Sequence, residues 1–340
     1  MKILITGACG FIGCHSVEKF ISLGHEVILL DNQSRPGSEI NLQWLKSRHE
    51  LQVYNIDVRN RSKLNGLVRE HSDIDAVVHL AAQVAVTTSV SDPETDFEIN
   101  AGGTFNLLEA VRKHAKKSPT ILFSSTNKVY GGLHDTDVKI NNERWEFGNR
   151  PDGIDERERL DFHSPYGCSK GAADQYVRDY SRIYDMSTVV LRQSCIYGTR
   201  QFGVEDQGWV AWFTIAASLD KEVTIYGDGK QIRDLLWVDD LTDLYALAID
   251  KIDDCRGEVF NVGGGVNNTL SLLELFNWIE NRTGKGLEHK LAEERPGDQK
   301  VFVANNNKLK SSLGWEPKTP VSSGLEQLYT WIDNNRNLFH

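Results

Sequence analysis

The sequence predicts an α/β fold in which a doubly wound parallel sheet is joined to a smaller C-terminal lobe. A glycine-rich turn connects the first apolar run to an amphipathic run near the N-terminus. Short apolar runs then alternate with runs of helical period as far as Arg192, which is typical of a parallel sheet covered on both faces. Beyond Arg192 this alternation loosens, and 340 residues exceed what one core usually holds. A second lobe is therefore expected.

The N-terminal stretch predicts a strand–helix–strand unit with a nucleotide loop. A strand at Lys2–Thr6 leads into Gly7, Gly10 and Gly13, a helical run follows, and a second strand ends at Asp31. The first glycine permits a tight turn, the second a close approach to a pyrophosphate, and the third helix packing on the strand. The acid suits an adenosine ribose and repels a 2′-phosphate. An ordinary glycine-rich turn is the alternative, but these elements in register favour a Rossmann-type NAD site.

Further strands are expected at 51–56, 74–80, 120–123 and 187–192. Asp57 follows the first of them and suits the adenine amino group, because it lies at the carboxyl end of a strand near the switch point of the sheet. Ala81 and Ala82 follow the second, where they either leave room for a cofactor backbone or serve plain packing. Arg35, in an earlier loop, either covers the adenosine or is a solvated charge.

Helices and one insertion are predicted between these strands. A long helix is expected over 93–115, with Asn100 on the side opposite much of its apolar stripe. The polar stretch 131–161 has few periodic signals, and we interpret it as an insertion over the site. Ser164, followed by proline, predicts a capped helix that runs through Tyr180.

The C-terminal part predicts the smaller lobe. Its expected elements are an aromatic helix near 209–213, a strand at 222–226, a turn at 227–234 with two basic side chains, a helix capped at 239–240, and helices near 271–283 and 322–335. The run 258–262 predicts a strand that rejoins the main sheet. We expect an NAD-binding domain at 1–192 plus about 235–262, and a substrate-binding lobe at 193–234 and 263–340.

Charge and cysteine content exclude several classes of function. The net charge of −10 argues against nucleic acid or an anionic membrane as the partner. No apolar run has the length of a membrane span, so a cytoplasmic protein is expected. The five cysteines are odd in number and none of their spacings resembles a metal site, so buried thiols and no metal are expected.

The candidate catalytic centre is a Tyr-x-x-x-Lys pair on a helix. Tyr166 and Lys170 share one helix face because they are four residues apart. A neighbouring ammonium is expected to lower the pKa of the phenol, which could then remove a hydroxyl proton and return it. Thr126, at the end of the fifth strand, is the candidate that orients the substrate oxygen. Such a pair is common by chance on helix surfaces, but here it follows a nucleotide fold.

Together these motifs resemble the extended short-chain dehydrogenase/reductases that act on nucleotide sugars, and the resemblance covers nearly the whole chain. The matching motifs, in order, are Gly7-x-x-Gly10-x-x-Gly13, Asp31, Asp57, His79–Ala82, Asn100, Ser124–Thr126, Tyr166-x-x-x-Lys170, Arg233-Asp234 and Arg295-x-Gly-Asp298. The resemblance implies that Thr126, Tyr166 and Lys170 are catalytic and that Arg233 and Arg295 bind a nucleotide diphosphate, although each arginine could instead be a surface charge.

The resemblance also implies two wider sets of contacts. The residues expected at the cofactor are Gly7, Gly10, Phe11, Ile12, Gly13, Asp31, Asn32, Arg35, Asp57, Val58, Leu80, Ala81, Ala82, Gln83, Asn100, Ser124, Tyr166 and Lys170. Those expected at the substrate are Thr87, Thr126, Asn127, Ser194, Gln207, Gln231, Arg233, Arg295 and Asp298.

Within this family the residues favour an epimerase. The 4,6-dehydratases carry Asp-Glu after the catalytic threonine, whereas Asn127-Lys128 stands here, and the run 192–198 departs from the usual 4-epimerase pattern. The chain resembles instead epimerases that invert C2 of a CDP-linked deoxysugar, which implies tightly bound NAD, a CDP-sugar substrate and a homodimer. The alternatives are a UDP-sugar 4-epimerase, a net dehydrogenase or reductase that exchanges its cofactor, and a non-catalytic NAD-sensing protein.

Overall fold

The computed structural model describes residues 1–295 and 298–339. Its strands are β1 Lys2–Thr6, β2 Glu26–Leu30, β3 Val53–Tyr54, β4 Ala76–His79, β5 Thr120–Thr126, β6 Val138–Asn141, β7 Arg144–Phe147, β8 Thr188–Gln193, β9 Cys195–Tyr197, β10 Val223–Tyr226, β11 Ile232–Trp237, β12 Val259–Val262, β13 Thr269–Ser271, β14 His289–Ala292 and β15 Val301–Phe302. Its α-helices are α1 Phe11–Ser22, α2 Ser38–Lys46, α3 Arg61–Glu70, α4 Val86–Ser91, α5 Pro93–Phe97, α6 Gly103–His114, α7 Ser164–Tyr184, α8 Trp209–Ser218, α9 Val238–Asp250, α10 Ile252–Cys255, α11 Leu272–Thr283, α12 Asn307–Leu313 and α13 Val321–Asn334.

A parallel sheet forms the centre of the N-terminal part of the fold. Among the described residues it has seven strands, in the order β12-β8-β5-β4-β1-β2-β3. Apolar side chains of α1, α2 and α9 cover one face, and those of α3, α6 and α7 cover the other. The strand order reverses beside β1 and β4, which is where such sheets bind ligands. The predicted doubly wound fold is therefore confirmed.

The N-terminal strands agree with expectation except at the edge of the sheet. The strand expected at 51–56 is only β3, because two of its residues pair with the edge strand β2. The strand expected at 258–262 is β12, and it rejoins the main sheet beside β8 as predicted. The helix expected through Tyr180 continues to Tyr184. Ser164 is its first residue and His163 its N-cap, so the expected serine cap is displaced by one residue, although the Ser164 hydroxyl still accepts the Gly167 N–H at 3.2 Å.

The helix expected over 93–115 is interrupted. A π-helical turn at Glu98–Gly102 separates α5 from α6. Such single turns occur frequently at functional sites, because the extra residue changes the direction of the side chains. Here the turn contains Asn100, which is 1% exposed.

The insertion at 131–161 contains a hairpin that the sequence did not predict. Strands β6 and β7 pair antiparallel, and the Trp145 N–H donates to the Lys230 carbonyl at 2.8 Å. Further along, Ile154 forms a parallel bridge with Ala304. The insertion therefore packs on the C-terminal part of the chain.

The C-terminal lobe is built around β11, which pairs with β9, β13 and β15. The turn expected over 227–234 ends earlier than predicted, because Arg233 and Asp234 already lie in β11. Helices α11 and α13 match the expected helices, and they pack with α8 around an apolar core. The domain boundaries within the chain stay a prediction.

Two further expectations concern the burial of the cysteines and the length of the apolar segments. Cys9, Cys14 and Cys255 are buried free thiols, whereas Cys168 is exposed. In the described ranges no helix is both long and apolar enough to cross a membrane.

Candidate active site

The glycine loop lies at the carboxyl end of β1, where two positions lack room for a side chain and a third is tight. A Cβ at Gly7 would lie 2.9 Å from the Ala81 nitrogen, and Gly7 has a φ of +70°. A Cβ at Gly13 would lie 2.0 Å from the Gly7 carbonyl oxygen, and one at Gly10 would lie 3.2 Å from the same oxygen. The loop thus folds onto itself and onto the end of β4, and it exposes the N-terminus of α1, which favours an anionic group.

Asp31 lies beside this loop as predicted. Its carboxylate accepts the Cys9 N–H at 2.8 Å and the Gln33 N–H at 2.6 Å, and burial raises its pKa. Asp57 is held differently, since the Arg59 guanidinium binds it at 2.9 Å and holds its pKa below the usual range. These two carboxylates and the glycine loop line one cleft.

The cleft brings together most of the predicted cofactor residues. They are Gly7, Gly10, Phe11, Ile12, Gly13, Asp31, Asn32, Arg35, Asp57, Val58, Leu80, Ala81, Ala82, Ser124, Tyr166 and Lys170. The tight glycine loop, the open N-terminus of α1 and the acid after β2 form a cradle that fits a dinucleotide with free ribose hydroxyls.

Gln83 and Asn100 do not line this cleft. The Asn100 side-chain oxygen accepts the Gln83 N–H at 2.9 Å, and its nitrogen donates to Asp96 and to Ser169, each at 3.1 Å. The π-helical turn therefore places Asn100 behind the segment that follows β4. It positions that segment through Gln83 rather than facing the cleft.

Buried histidine and threonine side chains also hold the segment that follows β4. Both ring nitrogens of His79 are hydrogen-bonded, Nδ1 with the Thr6 hydroxyl at 2.7 Å and Nε2 with the Thr104 hydroxyl at 3.0 Å. The Thr6 hydroxyl in turn accepts the N–H groups of Leu80 and Ala81 at 3.2 Å. Burial lowers the pKa of His79 to about 3, so the ring is neutral at neutral pH.

The three predicted catalytic residues meet at the other end of the cleft. Thr126, Tyr166 and Lys170 all line it and are all buried. The Lys170 ammonium donates to the Ser124 carbonyl at 2.5 Å and lies 4.3 Å from the Phe123 ring centroid. The end of β5 and the first turns of α7 thus hold the three side chains together.

The expected effect of Lys170 on Tyr166 is wrong for this structure. Burial raises the pKa of the Tyr166 phenol to about 12, and the opposing influence comes first from the Thr126 hydroxyl. Burial also lowers the pKa of Lys170 to about 7, against the nearby carboxylates of Asp174 and Asp96. Desolvation is the largest influence on the pKa of both groups.

The predicted substrate residues are divided between two places. Thr126, Ser194 and Gln207 line the cleft, and the Arg35 guanidinium donates to Gln207 at 2.8 Å. Thr87, Asn127, Gln231, Arg233, Arg295 and Asp298 lie outside the residues that line it. Pro296 and Gly297, between the last two, lie outside the described residues.

The second group surrounds the turn after β5. Asn127 donates to the Gln299 side chain at 3.1 Å and accepts from Thr126 at 3.3 Å. Arg233 donates to Asp298 at 2.5 Å. Arg295 is more peripheral, where it donates to the Glu205 carbonyl and to Asp206, each at 3.1 Å, and lies 3.9 Å from the Tyr226 ring centroid.

Two more predicted substrate residues hold orphaned polar atoms. Within the described part of the chain, the buried Thr87 hydroxyl and the Gln231 side-chain oxygen have no hydrogen-bond partner. The Gln231 amide nitrogen donates to the Tyr226 carbonyl at 2.8 Å, which fixes the direction of its oxygen.

Sequence reasoning missed several residues that build this site. Gln299 is 1% exposed, and its amide donates to the Gly131 carbonyl at 2.6 Å while its oxygen binds Asn127. Arg192 and Asp174 form a buried ion pair at 2.9 Å beneath β5, and the Ser125 hydroxyl donates to Asp174. Gln299 directly follows the predicted motif, whereas the pairing of Arg192 with Asp174 has no sequence signal.

Comparisons with known proteins agree on one family. A family model described as GDP-mannose 4,6 dehydratase matches residues 4–328. CDP-paratose 2-epimerase from Salmonella typhi is 45% identical over 339 residues, which cover 98% of this chain and 100% of that protein. The UDP-glucose 4-epimerase structure from Thermotoga maritima, solved with UDP-glucose, has a TM-score of 0.84 at 32% identity, with 99% and 100% covered. That of UDP-glucuronic acid 4-epimerase from Bacillus cereus, solved with UDP-glucuronic acid and NAD, has a TM-score of 0.84 at 29% identity, with 98% and 99% covered.

Proposed function

The chain belongs to the family described as GDP-mannose 4,6 dehydratase, and from that premise we propose that it is an NAD-dependent nucleotide-sugar epimerase. We propose further that it inverts C2 of CDP-paratose to give CDP-tyvelose. Full-length identity of 45% to a CDP-paratose 2-epimerase supports this assignment most directly. The meeting of Thr126, Tyr166 and Lys170 in the dinucleotide cleft supports the chemistry.

The glycine loop and Asp31 are the residues that would hold NAD. The N-terminus of α1 would hold the pyrophosphate, and the Asp31 carboxylate, which accepts two backbone N–H groups, would bind the adenosine ribose. NAD, when bound, supplies a hydride acceptor that can return the same hydride to the substrate. Lys170, held at the Ser124 carbonyl, is placed to bind the nicotinamide ribose.

Tyr166 is the proposed acid and base. When deprotonated, its phenolate would take the proton of the sugar C2 hydroxyl as the hydride leaves C2, and the phenol so formed would return the proton to the same oxygen as the hydride comes back to the opposite face of C2. Thr126 opposes the burial that raises the pKa of the phenol, and it would orient the sugar oxygen. Arg233 and Arg295 hold the nucleotide while the 2-keto sugar turns about its diphosphate link.

Asn127 and Lys128 disfavour dehydration in this chain. Loss of water from neighbouring carbons requires an acid and a base at the sugar. The side chain of Asn127 is an amide that bonds Thr126 and Gln299, and Lys128 pairs with Asp298 at 3.3 Å. Neither side chain offers the carboxyl group that the dehydratases place here.

A UDP-sugar 4-epimerase is the second candidate. It is favoured by the structural likeness to two 4-epimerases that were solved with UDP-sugars. The same three catalytic residues would serve it, because only the ring carbon that faces Tyr166 changes. Incubating the enzyme with CDP-paratose and with UDP-glucose, and reading the inverted carbon by NMR, separates the two candidates.

The mechanism is tested by running the reaction in deuterated water. Hydride return within the active site predicts inversion at C2 with no deuterium on that carbon and no net change in NADH. Deuterium on C2 of the product would show proton abstraction from carbon, and Tyr166 would then have another role. Inversion of C4 alone would leave the hydride mechanism in place and contradict the assignment of the substrate.

We also propose a homodimer formed through α5, α6 and α7. Large apolar side chains on or next to these helices are exposed, including Val90, Phe97, Tyr176, Ile183 and Tyr184. Stripes of this kind suit a self-complementary two-fold interface. Light scattering at micromolar concentration should give the mass of two chains, and the mass of one chain would refute the dimer.

A further inference from the structure

A buried carboxylate lies behind the catalytic pair Tyr166 and Lys170. It belongs to Asp96 in α5, which is 0% exposed and lies outside the residues that line the cleft. One of its oxygens accepts the Ser169 hydroxyl at 2.5 Å, and the other accepts the Asn100 amide at 3.1 Å. Both donors are neutral side chains, so neither of them cancels the charge of this carboxylate.

The two donors connect Asp96 to both sides of the site. Ser169 directly precedes Lys170 in α7, and the Asn100 oxygen holds the segment after β4 through the Gln83 N–H. The Asn100 nitrogen also donates to the Ser169 hydroxyl oxygen at 3.1 Å. The amide thus donates twice and accepts once, which fixes its orientation. Asp96 therefore ties α7 to the segment after β4.

The charge of Asp96 acts on both members of the catalytic pair. Burial, the largest influence on each, lowers the pKa of Lys170 and raises that of Tyr166. A nearby negative charge favours the ammonium and disfavours the phenolate, so Asp96 opposes burial at Lys170 and reinforces it at Tyr166. Loss of this one charge should therefore move both pKa values downwards.

Other charged or titratable groups surround the carboxylate and the pair. They come from the start of α5, from α7 and β8, from β4 and from the loop after β2, and they are Asp92, Asp174 with its partner Arg192, His79 and Arg35. Burial raises the pKa of Asp96 itself, while the Ser169 hydroxyl and the Lys170 charge lower it. A substitution at Asp96 leaves all these other groups in place.

We propose that Asp96 is a positioning residue of the catalytic pair, and that its buried charge sets the pH range in which Lys170 and Tyr166 share one proton. This inference rests on the proposed function. Loss of one proton from the pair gives either phenol with neutral lysine or phenolate with ammonium. The second form can accept the sugar proton, so turnover should rise as that proton leaves, near the Lys170 pKa of about 7.

The test is the pH profile of kcat for the NAD-containing enzyme with CDP-paratose, measured between about pH 5 and pH 9. Asp96→Asn removes the charge, and its amide can still accept from Asn100 and donate to Ser169. The acid limb of the profile should move to lower pH by about one unit. The plateau should fall by no more than several-fold, because both pKa values shift together. A purely structural lesion would lower the plateau and leave the limb in place.

Two further variants separate charge from shape. Asp96→Glu keeps the charge, so its acid limb should stay at the wild-type pH even where turnover falls. Glu94→Gln is the matched control, because Glu94 is an exposed carboxylate on the same helix and its charge is screened by water and salt. Its acid limb should not move. NAD content and melting temperature report whether each variant is folded.

A second measurement does not depend on turnover. In NAD-containing enzyme with carbon-13 lysine, the Lys170 signal is identified by its loss in Lys170→Met. It should titrate at a lower pH in Asp96→Asn than in wild type. Should Asp96→Asn fail to retain NAD, the carboxyl signal of Asp96 in wild type decides instead. An ionised carboxyl at pH 7 supports the proposal, and a neutral one overturns it.

The outcomes distinguish this inference from the proposed function. If Asp96→Asn keeps both the acid limb and the Lys170 titration of wild type, the role of Asp96 is overturned and the epimerase assignment stands. If Glu94→Gln moves the limb as far as Asp96→Asn does, a general effect of charge overturns the specific one. If wild type turns over neither CDP-paratose nor UDP-glucose, the proposed function fails, and the titration of Lys170 still decides whether Asp96 controls its proton.

Discussion

The two ends of the active-site cleft are constructed in different ways. The cofactor end depends on backbone within one short segment, where the glycine loop leaves no room for side chains and Asp31 is held by two N–H groups. The substrate end depends on side chains from separate segments, which meet at the turn after β5. Local sequence therefore determines the first end, and tertiary packing determines the second.

The largest effect is expected where the two ends meet. Tyr166→Phe removes the phenol and keeps the ring, so turnover should fall by about a thousandfold or more. NAD should remain bound, because the glycine loop and Lys170 are unchanged. Turnover measured by NMR, together with cofactor released on denaturation, checks both statements. Activity near that of wild type would contradict the assigned proton transfer.

Gly13→Ala tests the claim that backbone alone forms the cofactor end. The added Cβ would lie 2.0 Å from the Gly7 carbonyl, and such overpacking costs about 3 kcal/mol. The variant should lose NAD and melt at a lower temperature.

Gly66→Ala is the matched control for that substitution. Gly66 lies in α3, where no described atom outside its chain neighbours and its own helix backbone lies within 4 Å of an added Cβ, so alanine should stabilise the helix by about 1 kcal/mol. Retention of NAD by Gly13→Ala would show that the loop can move aside.

His79 gives the cofactor end a pH dependence. Burial lowers its pKa to about 3 from an ordinary value near 6.5, so the unfolded state binds the extra proton between these values. The free energy of unfolding should fall as the pH falls through this window, by up to about 1.4 kcal/mol per pH unit from this group.

Urea unfolding of wild type and His79→Gln between pH 4 and pH 7 measures that contribution. The variant should show the shallower slope, because glutamine does not titrate. If the free energy of unfolding has the same slope against pH in the two proteins, groups other than His79 cause the acid sensitivity.

Gln299→Ala tests whether side chains from the C-terminal lobe position the catalytic turn. The substitution removes the bonds to Asn127 and to the Gly131 carbonyl, so kcat should fall by about tenfold through misplacement of Thr126. NAD content should not change. Gln327→Ala is the control, since Gln327 is an exposed amide on α13. An unchanged kcat in Gln299→Ala would show that this contact from the C-terminal lobe does not position the catalytic turn.

The smallest effect is expected at Asp31. Asp31→Asn keeps the shape and removes the charge, so the preference of the apoprotein for NAD over NADP should narrow by several-fold in calorimetry. Asp57→Asn is the comparison, because Asp57 lines the same cleft but is already paired with Arg59. An equal change of the NAD preference in both variants would mean that Asp31 does not face the ribose.

The difference between the two ends also explains how much the sequence could predict. The glycine spacing and the acid after β2 lie within one strand–helix–strand unit, so periodicity and turn chemistry locate them. Tyr166 and Lys170 share a helix face, which spacing alone reveals. The pairing of Lys128 with Asp298 spans 170 residues and brings the turn after β5 to the segment before β15, which pairs with β11. No local pattern carries that information.

Two local features were missed for different reasons. The π-helical turn at Glu98–Gly102 adds no unusual residue, and the apolar spacing around it is still helical. Each strand of the hairpin β6–β7 alternates apolar and polar residues, but each has only four residues and β6 is mostly exposed, so the alternation is too short to stand out in a polar stretch. The raised pKa of Tyr166 was missed because burial of the side chain depends on tertiary packing.

The return of β12 to the edge of the main sheet has a consequence for how the chain emerges from the ribosome. Strand β8 needs β12 as its neighbour, but β9, α8, β10, β11, α9 and α10 are synthesised between them. Until residue 262 is released, the nascent sheet has an unpaired edge of the kind that recruits other chains. A fragment ending at 192 should therefore aggregate on expression. Fragments that extend past β12 should depend less on chaperones to stay soluble.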